Sequence, residues 1–448
     1  MSPIEAHRNP YLEGNYAPIA QETTAFDLQV TGTLPKELSG RFLRIGPNPA
    51  GPVDTKTYHW FTGSGMSHGL RLRDGRAEWY RSRFVTDDRA ARALGRPPLD
   101  GPRNGVGSGT ANTNILSFGG KTYALVEAGG LPVELTDELE PVARSRFGDT
   151  LRNGFAAHPK RDPLTGEQHA LCYQPGLQAL SYVVVDPHGR ARTVAEIPAP
   201  ECPMIHDVAI TQSSVVVFDL PVTFDMPMAR QGLGMPFRWR DERTPRVGLL
   251  PRDGDLARLQ WFEVPACYVF HVMNAYDAGS TVVMDLVKHR KVFDMDHRGP
   301  SEGDPRLVRW VLNRLTGTVS ETVLDECGVE FPRFNDAFGA QAYRYGYTAS
   351  AHDLFFGPAR KHDVEKATSE VHDFGAGRVG LEPVFVAREN ARAEDDGWVM
   401  AYVYDAGKNT SDVVILDAQD FSGPPVATVA LPVRVPFGFH GNWIADSA

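Results

Sequence analysis

No stretch of the 448-residue chain reaches about 18 consecutive apolar residues, the length a membrane-crossing helix requires. The opening stretch Met1–Glu22 lacks the apolar core of a secretion signal. Both absences predict a cytoplasmic protein, attached at most peripherally to a membrane surface. Cysteine is scarce: Cys172, Cys202, Cys267 and Cys327 lie far apart with no CxxC pair. That spacing argues against a zinc ribbon or a disulfide framework and for free thiols in a reducing compartment. There is no basic run, and the formal net charge is −10, so no nucleic-acid partner is expected. Length alone would suggest about three domains, but large all-β folds are the usual exception. No Gly/Ser or charged linker divides the chain, and no strict WD or kelch repeat occurs.

What the chain does contain is turns and short β-prone runs. It has 43 Gly and 34 Pro, and turn signals recur at Asp162–Gly166, Asp186–Gly189, Leu315–Thr318 and Asp405–Lys408. Between them stand β-branched and aromatic runs such as "LSYVVVD", "SSVVVFDLPV", "STVVMDLV", "LVRWVLN", "WVMAYVYDA" and "DVVILDA". These read as strands in consecutive hairpins. Helical periodicity is weak, with one candidate near Arg89–Leu94. An all-β chain of this size must hide its strand edges, and either a β-propeller or a pair of packed sandwiches would do so.

Histidines favour the propeller. Of fourteen, His7, His169, His188, His289, His297, His362 and His372 lie in polar stretches and read as solvated. Four others follow apolar or small residues near a strand start or tight turn: His158 in "NGFAAHPKRD", His206 in "PMIHDVAIT", His271 in "YVFHVMNAY" and His440 in "GFHGNW". Taken singly, each is more readily a core histidine satisfied by hydrogen bonds than a ligand. Their separations are 48, 65 and 169 residues, roughly one, one and three propeller blades. Equivalent points on innermost strands would converge on the axis, where four neutral imidazoles could hold a transition metal.

The cysteines are remote from these histidines, which disfavours structural zinc. Four imidazoles on iron(II) would leave two octahedral positions open for dioxygen and water or substrate. Such rings need their other N–H held, usually by a carboxylate. Glu127 in "YALVEAGG", Glu330 in "CGVEFPRFN" and Glu382 in "GLEPVFVAR" stand in apolar settings and are candidates, with ordinary salt bridging as the alternative.

With these motifs in this order the chain resembles the carotenoid cleavage oxygenase family nearly from end to end. The resemblance is carried also by "GTLPKELSGRFLRIGPNP", by "HWFTGSGMSHGLRLRDGRAEWYRSRFV" and by Ala111-Asn112-Thr113. It implies one domain over 1–448: an all-β, seven-bladed β-propeller with loops and short helices capping an axial metal site. It implies one iron(II) per chain on His158, His206, His271 and His440. Glu127, Glu330 and Glu382 then match carboxylates behind three of these, leaving His158 without one. Thr113 corresponds to a position beside the open coordination site, and Phe61 to one lining the cavity. The family often has Asp where this chain has Thr62 and Ser64, which bears only on local loop stability. His59 and His68 read as structural.

The activity implied is oxidative cleavage of a C=C bond by O2, giving two carbonyl products from an apolar carotenoid or apocarotenoid. The rival is stilbenoid cleavage, as in lignostilbene dioxygenases. Those typically carry a lysine just before the first of these glutamates, where this chain has Val126. A non-catalytic propeller acting as a binding module would be expected to have lost a ligand, and all four are present. A related retinoid isomerase is less in keeping with a chain lacking evident lipid anchors. An apolar tunnel mouth is expected in Leu220–Trp239, where Met226, Met228, Leu233, Met235 and Phe237 offer apolar surface and Arg230, Arg238 and Arg240 could face lipid headgroups. The plainer reading of that segment is a loop covering the core. In the terminal "VPFGFHGNW", Phe437, Phe439 and Trp443 would pack His440 into the core, with Gly438 and Gly441 allowing close backbone approach. The sequence is silent on oligomeric state and on which double bond is cut.

Overall fold

The β-branched runs fold into antiparallel strands where the sequence placed them: Ala179–Val185, Ser214–Asp219, Thr281–His289, Arg306–Asn313, Gly397–Asp405 and Thr410–Asp417. The computed structural model describes residues 8–105, 109–300, 302–352 and 355–446, so His7 lies outside the described residues. Turn chemistry closes the hairpins. At 186–189, Asp186 Oδ1 accepts from the His188 and Arg190 N–H groups and Gly189 takes φ 76°. The helix expected near Arg89–Leu94 spans Asp88–Leu94, with Asp87 accepting from the Arg89 and Ala90 N–H groups and Gly95 ending it at φ 63°. No helix among the described residues is long and apolar enough to cross a membrane.

Successive sheets occupy successive stretches of chain. Four-stranded sheets cover 114–144, 160–198 and 209–263, and a longer strand path covers 268–372. Within that path the strand Thr318–Phe334 pairs with Arg306–Asn313 through its first part and with Tyr345–His352 through its last, and the register breaks between Glu330 and Arg333. Phe331, at φ 55°, marks that break.

The buried apolar faces join each sheet to the next. Leu43, Ile115 and Val133 share one core, Phe118 and Val183 another, and Tyr182, Val217, Met284 and Trp310 a third. Tyr347 packs with Val403, and Phe42 with Val413 and Ile415, so the chain of cores returns to the first sheet. Covalent order is crossed at the same place. Gly441–Ala445 pairs with Gly40–Pro47, and Val30–Gly32 pairs with Ala427–Ala430. Early and late strands thus complete two sheets together, Gly441–Ala445 as the end strand of one and Val30–Gly32 as the end strand of the other.

Candidate metal centre and cavity

The four histidines singled out by spacing come together. His158 and His206 lie in the loops leading into Lys160–Arg161 and Ala209–Ile210, His271 is in Tyr268–Ala278, and His440 immediately precedes Gly441–Ala445. His271 falls where its strand skips register between Val269 and Val272, which turns its ring out of the ladder. All four are buried, and one ligand atom from each lies within 4.8 Å of the others.

Their electrostatics fit a cation. His271 Nδ1 is 2.5 Å from Glu330 Oε2, and His440 Nδ1 is 2.9 Å from Glu382 Oε1. His206 Nδ1 lies 2.8 Å from Glu127 Oε2, an ion-pair approach rather than an aligned hydrogen bond. No carboxylate pairs with His158 among the described residues. A carboxylate can only accept, so these Nδ1 atoms carry protons and the Nε2 atoms carry lone pairs. The lone pairs face one another: His271 Nε2 is 3.3 Å from His206 Nε2 and 3.1 Å from His440 Nε2. His158 Nε2 is buried with no hydrogen-bond partner, its ring 4.3 to 5.1 Å from the other three. Nitrogens so arranged repel unless a cation sits among them. The residues present therefore fit a metal ion.

Burial holds the His158 ring well below its ordinary pKa, and the other three imidazoles add to this. Burial also lowers His440, to about 4, although Glu382 pulls the other way. His206 is raised, because Glu127 outweighs its burial. Burial would raise Glu382, but His440 and Arg333 hold it down, to about 2.

A cavity of about 630 Å³ opens onto His206, His271 and His440. Phe61, Thr113 and Val126 line it, together with Leu233, Met235 and Phe237. Phe61 stands edge-on to Phe439 at 5.4 Å, and the Thr113 carbonyl accepts from the His440 N–H at 3.2 Å. The segment expected as a mouth divides in two. Met226 and Met228 sit on the short helix Met226–Arg230, capped by Asp225, outside the cavity lining. Phe237 is instead buried at 3% exposure, in a strand paired with Val222–Phe224. Arg240 does not face outward toward headgroups but bonds Asp225, whereas Arg230 and Arg238 are exposed.

Several histidines depart from the solvated reading. His169 bonds the Tyr182 hydroxyl, His362 the Thr348 hydroxyl, His372 the Phe421 carbonyl and His289 the Glu330 carboxylate, all four buried. The strands of His169 and His289 are covered on both faces, so polar neighbours in sequence say little about exposure there. His188 and His297 are exposed as expected. His59 and His68 are internal: His59 Nδ1 accepts from the Phe61 N–H, and His68 meets the Tyr80 hydroxyl. Three partners of the glutamates escaped the sequence reading altogether. They are His289 on Glu330, Tyr173 on Glu127 and Arg333 on Glu382.

The family model described as RPE65, retinal pigment epithelial membrane protein, matches residues 16–445. A carotenoid cleavage oxygenase of Mycobacterium tuberculosis is 40% identical over 490 aligned positions, covering 97% of each chain. Among solved structures, the lignostilbene dioxygenase of Pseudomonas brassicacearum is 28% identical, with a TM-score of 0.88 and 98% of each chain covered. A cobalt-substituted apocarotenoid oxygenase of Synechocystis is 26% identical, with a TM-score of 0.85, over 96% of this chain and 97% of the other. With the motifs, the converging histidines and this coverage in agreement, the chain belongs to the carotenoid cleavage oxygenase family.

Proposed function

We propose that the protein is an iron(II)-dependent, non-haem dioxygenase that cleaves a C=C bond of a carotenoid or apocarotenoid. The observation that carries this reading is the convergence of buried imidazole lone pairs at the wall of an apolar cavity. The sheets read as seven blades around an axis on which the histidines meet, in one domain spanning 1–448, with Met226–Arg230 and neighbouring loops as part of a cap. His158, His206, His271 and His440 would hold the ion. Iron(II) held there would supply the redox chemistry by which dioxygen reacts with an electron-rich alkene.

The chain's own residues prepare that reaction. Glu127, Glu330 and Glu382 keep protons on the far side of three rings, so the lone pairs stay aimed inward. Phe61 and Phe439 form an apolar wall that excludes water, and Val126 beside Glu127 suits a hydrocarbon rather than a phenol. Thr113 would border the open coordination positions. Overall one C=C bond breaks and two C=O bonds form, each taking one oxygen atom of O2, so neither an acid–base pair nor an external reductant is required.

Stilbenoid cleavage is the second reading, favoured by the likeness to lignostilbene dioxygenase. A buried phenol would need a polar partner, and valine at 126 offers none. Met226, Arg230 and Arg238 support peripheral contact with a membrane that stores the substrate, and the protein is otherwise read as cytoplasmic. The test is product mass spectrometry after incubating iron-replete protein and O2 with β-carotene, an apocarotenal and resveratrol. Cleavage of a polyene supports the proposal. Cleavage of resveratrol alone would transfer it to the second reading, and intact substrates throughout would defeat both.

A further inference from the structure

Each glutamate behind the histidine cluster also takes a second side chain, and the three differ in kind. Glu127 accepts from the Tyr173 hydroxyl at 3.5 Å, and Glu382 from Arg333 Nη1 at 3.4 Å. Glu330 takes another histidine, His289, with Nε2 at 2.8 Å from Oε1. Its other oxygen, Oε2, holds His271 Nδ1 and the Phe331 N–H, both at 2.5 Å.

A carboxylate held through one oxygen can turn about its last bond, because that torsion is broad. Donors on both oxygens fix its plane. Glu330 is buried, so water does not replace a missing donor cheaply. His289 is itself fixed: it ends the strand Thr281–His289, lies opposite Tyr268 in the ladder, and meets the Phe270 ring edge-on at 5.0 Å. It also stands in the wall of the cavity that His271 borders.

We propose that His289 is a positioning residue for the metal centre: its Nε2–H occupies Glu330 Oε1, reserving Oε2 for His271 and thereby setting the angle of that ring. This rests on the metal-site reading above. The relation is invisible to the family motifs, since His289 belongs to none of them.

The experiment is equilibrium cobalt(II) binding and visible absorption of the cobalt-loaded full chain, for wild type, His289→Leu and His289→Gln. Leucine removes the donor, and glutamine keeps an N–H at similar reach. The leucine variant is expected to bind cobalt(II) roughly 10–100-fold more weakly, with a displaced absorption band. Glutamine is expected to restore most of both, while the metal-free variants melt like wild type. Wild-type affinity and spectrum in His289→Leu would overturn the proposal, as would equal impairment in both variants, which marks a packing role. A wild-type chain that bound no cobalt(II) would overturn the metal-site reading with it. Inactivity toward every polyene, with these binding results intact, would touch only the proposed reaction.

Discussion

Gly46 and Gly438 approach so closely that a Cβ on Gly438 would lie 2.9 Å from the Gly46 Cα, and one on Gly46 2.5 Å from the Gly438 Cα. Hydrogen bonds between Ile45 and both Phe439 and His440 clamp the two backbones beside this contact. His440 is thus placed by a backbone crossing that has no room for a side chain. Gly438→Ala is expected to destabilise the fold by about 1–3 kcal/mol through overpacking, and to weaken metal binding because His440 must shift. Thermal melting and metal content check this, and a variant unchanged in both would exclude the crossing as the device that places His440.

Glu382→Gln removes the charge that faces His440 Nδ1, the Gly441 N–H and Arg333. Roughly 10–100-fold weaker metal affinity is expected, and a larger loss than in Glu127→Gln, because Glu127 is less deeply buried and makes no aligned bond to His206. Isothermal titration of the metal-free proteins with cobalt(II) ranks the two. The reverse order would mean that charge alone, not hydrogen bonding, governs the site.

Acid should weaken the fold from about pH 6.5 downward, because buried His169 and His362 are held neutral in it. Burial pushes His169 to about 4, with Arg252 adding to the shift, and burial pushes His362 to about 4 against the pull of Asp325. Each binds a proton more readily in the unfolded chain, at about 6.5. Stability is then full above that pH, falls between 6.5 and 4, and levels off below. Each such group contributes up to about 1.4 kcal/mol per pH unit in the window. Urea midpoints at pH 7 and pH 5 should differ less for His169→Gln than for wild type, and equal differences would refute the assignment.

Met226 is 45% exposed on a helix whose Arg230 also faces outward. Burying the exposed part of such a methionine in an interface is worth about 1 kcal/mol, so Met226→Asp with Arg230→Glu should lower binding to anionic vesicles by roughly tenfold. Co-sedimentation measures it. An unaltered bound fraction would remove this helix as the membrane contact.

The histidines and glutamates were legible because each sits in a short motif whose order is itself informative. The strands were legible because β-branched runs alternate with turn residues. What stayed hidden has more than one physical origin. In strands covered on both faces, such as Thr281–His289, the hydrophobic pattern loses its period of two, and a histidine beside Lys288 and Arg290 looks solvated although it is buried. Arg333 and Tyr173 reach their glutamates across 49 and 46 residues of chain, pairings that no local pattern announces. The mouth segment is mixed: Met226 lies outward, Leu233 and Met235 line the cavity, and Phe237 belongs to a two-stranded pairing that the intervening prolines and glycines obscure.

The pairing of Gly40–Pro47 with Gly441–Ala445 has a consequence for biosynthesis. A domain generally folds as a unit, and here the strand Gly40–Pro47, paired on one side with Gly65–Arg73, gains its second partner only some four hundred residues later. Until residue 440 has left the ribosome, the emerging polypeptide lacks one of the four imidazoles. Nascent chains and stalled fragments should therefore hold a metal ion at this cluster poorly, and capture of an ion there would report that synthesis has passed that residue.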